Sequence, residues 1–295
     1  MSEIIVVTGP TASGKTRLSI ALAKEFNGEI INADSVQVYK GMDIGSAKIK
    51  KEEMEGILHH LIDIKEPHEK YSVYDFQKDA KEKIKEIKAR GRIPIIVGGT
   101  GLYIKALLYD YEFYPEEELL NKNYDNYSNE ELYELLIDLD SLCKDKIHPN
   151  NRKRIIRALN YFYLHQQSIK TKKHDKMVYD AKVIGLKLDR NTLYERINKR
   201  VDEMINEGLI DEVKTLFDKG LMGINAMKAI GYKELCEYFI GKISLEEAIN
   251  LIKRNSRRYA KRQYTWFNNQ MDVKWFQVNT KDFNKTIEEV INYLK

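Results

Sequence analysis

Short apolar, β-branched runs alternate with helical stripes through the first hundred residues. Ile4-Ile5-Val6-Val7, Glu29-Ile30-Ile31-Asn32-Ala33 and Ile93-Pro94-Ile95-Ile96-Val97 each predict a strand. Pro94 stands near the start of its run, where a missing N–H costs least. Between these runs, Arg17 to Ala23 has helical spacing, and Tyr74 to Arg90 carries apolar residues at Phe76, Ala80, Ile84 and Ile87 before Gly91 stops it. Continuously apolar strands separated by helices predict an α/β fold, with a parallel sheet covered on both faces. Ligands of such sheets bind beyond the carboxyl ends of the strands.

The alternation breaks near Tyr111. Pro115, the run Glu116-Glu117-Glu118 and an Asn/Tyr-rich stretch lead to a predicted helix over Glu130–Leu139. His148-Pro149-Asn150 reads as a turn, Arg152 to Tyr163 as a basic helix, and Lys170 to Lys173 as a loop. Ala181 to Leu188 reads as a strand that returns to the sheet. From Thr192 onward the pattern is mostly helical, with Tyr194–Glu207, Leu209–Asp218 and Leu245–Phe267 as the clearest segments. The expected division is a core of residues 1–110 and 146–295, including a helical C-terminal part, interrupted by a small helical insertion over 111–145.

The 295 residues are 43% hydrophobic and 32% charged, as in a soluble globular protein with a substantial core. No run approaches the ~18 apolar residues needed to span a bilayer. The chain passes directly into a strand pattern, which predicts neither a signal nor a transit peptide. Cys143 and Cys236 lie far apart and suggest no disulfide framework, so the expected compartment is the cytoplasm. The net charge of +4 conceals segregation. Asp110 to Asp140 holds eleven acidic residues against Lys122 alone, Ser141 to Arg200 holds sixteen Lys/Arg against five Asp/Glu, and Lys253 to Arg262 carries six cations in ten residues. Such segregation fits either a polyanionic partner or solvated helix faces.

Gly9-Pro10-Thr11-Ala12-Ser13-Gly14-Lys15-Thr16 matches the phosphate-binding loop G-x-x-x-x-G-K-[ST], placed between a strand and a helix. In that setting backbone N–H groups converge on an anion, Lys15 reaches terminal phosphate oxygens, and the Thr16 hydroxyl sits on Mg²⁺. By motif alone this is a nucleotide (ATP) site; a different diphosphate would suit it equally. Asp34 ends the second strand and reads as a metal ligand through water, a proton acceptor, or a helix cap. Gln37 offers the donor and acceptor edge that a nucleobase needs. Gly98-Gly99-Thr100 ends the third strand, where two glycines permit close approach and Thr100 adds a hydroxyl. The acidic pair with which a hydrolase holds its second metal contact is missing from that strand. His59-His60 is not read as a metal site, because adjacent side chains diverge and no third ligand is suitably spaced.

Taken in order, these blocks resemble the tRNA dimethylallyltransferase family, whose fold is a P-loop NTPase-like parallel sheet flanked by helices. The resemblance covers Gly9–Thr16, Asp34-Ser35-Val36-Gln37-Val38-Tyr39, Met42 to Lys48, His59 to Ile64, Tyr71-Ser72-Val73, Gly98 to Tyr103 and His148-Pro149-Asn150. It continues through Ala229 to Glu234 and Tyr259 to Phe267, nearly the whole chain. It implies transfer of a dimethylallyl group from dimethylallyl diphosphate to N6 of the adenosine immediately 3′ of the anticodon, with Mg²⁺ as cofactor and diphosphate released. It implies Asp34 as general base, Thr100 near the reacting centre and Lys15 on the leaving group. Gly9 to Thr16 would hold the diphosphate, and Asp34, Ser35, Val36, Gln37 and Thr100 would meet the target nucleotide. Lys153-Arg154-Ile155-Ile156-Arg157, Arg258 and Arg262 would contact the tRNA anticodon stem-loop.

The adenine would have to be extruded from its stack to react. Arg257 and Lys261, with Tyr259, Tyr264 and Trp266, would add phosphate contacts and stacking surfaces, or else the aromatics pack inward. The protein is expected to be a monomer without membrane contact. One departure is that residues 111–140 lack the arginine usual after Tyr109, so either Lys122 substitutes for it or this lobe contacts RNA less. A small-metabolite kinase, an RNA-binding factor without transfer chemistry, and a prenyltransferase of free adenine nucleotides remain as alternatives.

Overall fold

The structure, a computed structural model, describes residues 3–109, 111, 123–169 and 176–295. Two compact units divide it, one of residues 1–108 and 177–295 and one of 109–176. The larger unit is built on a six-stranded sheet in the order β3-β2-β4-β1-β5-β6, parallel throughout. Its strands are β1 (Ile4–Thr8), β2 (Gly28–Asn32), β3 (His59–His60), β4 (Ile93–Val97), β5 (Ala181–Lys187) and β6 (Lys274–Gln277). The first three predicted strands fall where expected, and β1 and β2 are buried at every position because helices cover both faces.

α1 (Lys15–Glu25), α2 (Val73–Ala89) and α3 (Gly101–Leu108) follow β1, β3 and β4. Phe76, Ala80, Ile84 and Ile87 form the buried stripe of α2, and Ser72 and Asp75 close its start as a capping box. Each fully buried Phe or Ile there is worth about 1.5–3 kcal/mol. After the smaller unit come α6 (Arg190–Asn206), α7 (Leu209–Asp218), α8 (Tyr232–Phe239), α9 (Leu245–Gln270) and α10 (Phe283–Leu294). One core cluster lies against the sheet between α1, α6, α9 and α10, and includes Leu18, Leu22, Ile184, Leu186, Ile197 and Val290. A second joins α6 to α9 with the segment after β2, through Val38, Met42, Leu209, Val213, Tyr232 and Ile252. Residues 38–47 are therefore packed by elements far along the chain.

The smaller unit contains α4 (Asn129–Leu139) and α5 (Arg152–His165), which pack Leu132, Leu136, Ile155 and Leu159 into a core of their own. The unit runs on to Lys176, so it includes the basic helix that the sequence pattern assigned to the main body. Apolar faces of α4 and α5 that close on one another explain that boundary. Lys122, the acidic run Glu116–Glu118 and the loop Lys170–Lys173 lie outside the described residues. The His59-His60 pair forms the edge strand β3. His60 Nε2 lies 2.7 Å from the buried Glu29 carboxylate, which Arg90 also grips at 2.7 and 3.0 Å. These contacts hold Glu29 down at about 2, the Arg90 hydrogen bond contributing most, so the pair serves the sheet edge. Among the described residues no group of three His, Cys, Asp or Glu could hold a metal ion.

Candidate active site

A cavity of ≈ 510 Å³ opens at the carboxyl edge of the sheet, where Thr11–Thr16, Asp34–Gln37 and Gly98-Gly99 converge. All these residues belong to the larger unit. At its floor the phosphate loop wraps the start of α1. Gly9 (φ 143°), Ala12 (φ 62°) and Gly14 (φ 96°) adopt left-handed backbone, which turns the loop back on itself. No side chain caps α1, so the first N–H groups of the helix remain available to an anion.

Lys15 Nζ donates to the Pro10 carbonyl at 2.8 Å. Burial, and then the nearby Arg200 guanidinium, pull its amine down to about 8, while the Asp34 carboxylate pulls the other way. Arg200 on α6 reaches Thr11 Oγ1 at 3.5 Å, and burial lowers its own pKa. Two desolvated cations beside open helix amides, with the Asp34 carboxylate acting on both, suit an anion such as a phosphate group. Arg200 was not singled out from the sequence. Its position beside Ile197 and Val201 gives only the period of a helix face, not what that face meets.

Thr16 is exposed at the first turn of α1 and lines the cavity with Asp34. A hydroxyl, a carboxylate and phosphate oxygens form the hard oxygen donor set that Mg²⁺ takes while keeping several waters, so these residues fit the ion. Asp34 Oδ1 accepts from Val36 N at 2.8 Å and Gln37 N at 3.4 Å, which makes it the cap of the turn as well. Among the described residues Oδ2 has no partner within the protein. One oxygen of the carboxylate therefore caps the turn while the other stays open to the cavity.

Thr100 Oγ1 accepts from Ser35 N at 3.2 Å and so ties the loop after β4 to the loop after β2. Tyr259, from α9, meets Thr100 from the other side. Burial first, and then Asp34, push its phenol up to about 12, against the opposing pull of the Thr100 hydrogen bond and Arg262. Gln263, also on α9, donates to the Gly99 carbonyl at 3.0 Å. A Cβ on Gly99 would collide with that amide nitrogen, which is why glycine stands there.

Gln37 Nε2 donates to the carbonyls of Ser46 and Ala47 at 3.1 and 3.2 Å. The amide expected to offer a nucleobase both a donor and an acceptor has thus spent its donors, leaving the carbonyl oxygen. Ile197, Val201, Met204, Ile230 and Ile252 supply an apolar wall beside the phosphate loop. Lys228, Lys233 and Arg262 supply exposed cations, and Asp34 is the one acidic residue lining the cavity among those described.

The basic C-terminal segment divides by face. Arg258, Lys261 and Arg262 are exposed. Tyr264 accepts from Leu188 N at 3.1 Å, and Trp266 packs against Gly101, so these two rings are structural rather than stacking surfaces. Arg257 is held by Asn198 and lies over the Tyr194 ring. In the smaller unit Lys153, Arg154 and Arg157 are exposed, Ile156 is half-buried and Ile155 is fully buried. Of that segment, the three cations are what an RNA could meet.

The sequence profile of the IPP transferase family matches residues 37–270. The chain belongs to the IPP transferase family. A tRNA dimethylallyltransferase of Anoxybacillus flavithermus is 52% identical over 300 residues, covering 99% of this chain and 96% of the relative. The crystal structure of the full-length tRNA isopentenylpyrophosphate transferase of Bacillus halodurans, 46% identical, superposes with a TM-score of 0.78 over 100% of this chain and 96% of that one. A eukaryotic dimethylallyltransferase captured acting on tRNA, 28% identical, gives 0.87 over 99% of this chain and 78% of its own. The phosphate loop precedes the span matched by the IPP transferase profile, so its assignment rests on its own geometry.

Proposed function

We propose that the crevice transfers the dimethylallyl group from dimethylallyl diphosphate to N6 of the adenosine immediately 3′ of the anticodon in tRNA. The protein is an enzyme of tRNA prenylation, as the likeness over essentially its full length to proteins named for that activity supports. The observation that carries the finer reading is a single crevice with two half-buried cations at an open helix N-terminus, an adjoining apolar wall, and one carboxylate with a free oxygen.

The α1 amides, Lys15 and Arg200 bind the diphosphate and take up the charge that develops as it leaves. Mg²⁺ held by Thr16 would add further neutralisation of the leaving group. Ile197, Val201, Met204, Ile230 and Ile252 shelter the five-carbon group from water. The adenine N6 lone pair forms the new bond to C1 of the allyl group as the C1–O bond breaks and its electron pair departs with the diphosphate. Asp34 Oδ2 accepts the N6 proton, which compensates for an amine whose lone pair is delocalised into the ring. Thr100 and Tyr259 hold the loop that carries Asp34. Arg258 and Arg262, with Lys153, Arg154 and Arg157 of the smaller unit, draw the RNA backbone. No helix among the described residues is long and apolar enough to cross a membrane. The enzyme is taken to act as a single chain in the cytoplasm, where its tRNA is.

Labelled dimethylallyl diphosphate, offered with unmodified tRNA, AMP or ATP, tests the reading. Label in tRNA alone is expected. Label in AMP but not in tRNA would overturn the acceptor, and no label in any of them would overturn the donor.

A further inference from the structure

We propose that Glu212 is a positioning residue for base selection, fixing through residues 43–47 the direction in which the Gln37 amide faces the substrate base. The inference rests on the reading of the crevice as an adenine site. Glu212 lies on α7 and does not line the crevice. Yet its carboxylate collects four donors. Oε2 accepts from the backbone N–H groups of Asp43 and Ile44 at 2.8 and 2.7 Å, and Oε1 from that of Gly45 at 3.0 Å. The Tyr232 hydroxyl adds a fourth bond to Oε1 at 2.7 Å. Tyr232 reaches it by lying flat on Gly45, where a Cβ would come within 2.6 Å of the ring. Burial, and then the Glu212 carboxylate, push the Tyr232 phenol far up, so it remains the donor.

Successive backbone N–H groups facing one carboxylate make a nest, a geometry that fixes the loop from its amide side. The chain then turns through Ala47 in a left-handed conformation (φ 51°), and the carbonyls of Ser46 and Ala47 face Gln37. Both take Gln37 Nε2, so the amide orientation is dictated by chemistry: two carbonyl oxygens can be met only by the NH₂ end. Gln37 Oε1 is left without a partner in the protein among the described residues. The crevice therefore presents two acceptors, this oxygen and Asp34 Oδ2. An exocyclic amine carries two N–H groups and satisfies both. A 6-oxopurine would place a carbonyl oxygen against them, and rejection by lone-pair repulsion follows. If the 43–47 loop loses its anchor, Gln37 can turn its amide, and the discrimination goes with it.

The test uses anticodon stem-loop RNAs carrying adenosine or inosine at the reacting position, compared as binders. The wild type should prefer adenosine, with about tenfold of the preference owed to the repelled Gln37 oxygen and the rest to Asp34. Glu212→Gln should remove that tenfold while leaving affinity for metal-free diphosphate unchanged, which a general loss of structure would not do. Tyr232→Phe, which keeps the ring on Gly45, should lower the ratio partway and serves if the first variant does not fold. Gln37→Leu should remove the same tenfold and leave what Asp34 maintains. An unchanged ratio in both Glu212→Gln and Tyr232→Phe, with the tenfold lost in Gln37→Leu, would overturn the positioning role. An unchanged ratio in Gln37→Leu would remove Gln37 as the reader and the inference with it. Failure of the wild type to prenylate the adenosine RNA would instead overturn the functional reading beneath both.

Discussion

At its phosphate end the crevice is made mostly by one continuous stretch, Thr11 to Thr16, with Arg200 added from α6. At its base end it is assembled from Asp34 to Gln37, Thr100, Tyr259 and, behind them, Ser46, Ala47 and Glu212. The first is shaped by backbone conformation, with glycines and Ala12 in left-handed geometry and helix amides left open. The second is shaped by side chains that arrive from helices more than a hundred residues away. A site of the first kind is generic, suited to a phosphate group of any origin. Specificity for the group that reacts has to come from the second kind, where polar atoms are placed one by one.

That division can be broken experimentally. The largest effect is expected from Asp34→Asn, which retains an oxygen to cap Val36 N but cannot take a proton. Turnover should fall by about 10²–10⁴-fold with RNA and diphosphate affinities nearly unchanged. Loss of RNA binding of similar size would instead make Asp34 a recognition residue.

Arg200→Ala should weaken diphosphate binding by roughly a hundredfold, since it removes a buried charge partner of the leaving group. The same variant should leave stem-loop affinity within a few-fold in a direct titration. Equal losses for both ligands would mean that the two ends are not separate.

A pH profile sharpens the same point. Lys15 is held at about 8, below its ordinary value of 10.5, so its ammonium is present below that pH and lost above it. Affinity for metal-free diphosphate should therefore fall as pH rises through about 8, and Lys15→Met should flatten the curve. Stability should run the opposite way. Between 8 and 10.5 the unfolded chain holds the proton that the folded chain has released, so the fold gains stability with rising pH across that window. The smallest effects belong to the exposed cations. Arg258→Glu and Arg262→Glu should each lower the salt dependence of RNA binding by about one unit of slope or more, without touching diphosphate affinity.

Legibility in the sequence follows the same line. The strands β1, β2 and β4, the helix α2 and the phosphate loop were readable because each is set by local periodicity or by glycine spacing. β6 and α10 were missed, since a four-residue strand such as Lys274–Gln277, of which only Phe276 is buried, carries little alternation. The unit boundary near 145 was misplaced because α5 is amphipathic toward α4, a pairing that no sequence window displays. Asp34, Gln37 and Thr100 were found through family resemblance and their position at strand ends. Arg200, Gln263 and Glu212 were not. Each sits on a helix whose periodicity says that one face is buried, and only the packed fold says what that face touches. Gln37 shows the cost of that gap most clearly. Its residue type promised a donor and an acceptor, and its neighbours had already taken the donor.

Formation of a carbon–nitrogen bond to adenine in this crevice can be read directly from the product. Unmodified tRNA incubated with the enzyme, Mg²⁺ and dimethylallyl diphosphate is digested to nucleosides and analysed by mass spectrometry. N6-isopentenyladenosine is expected solely from the nucleotide 3′ of the anticodon, with one diphosphate released for each. A phosphorylated product, or a prenyl group on any other atom or nucleotide, would contradict it.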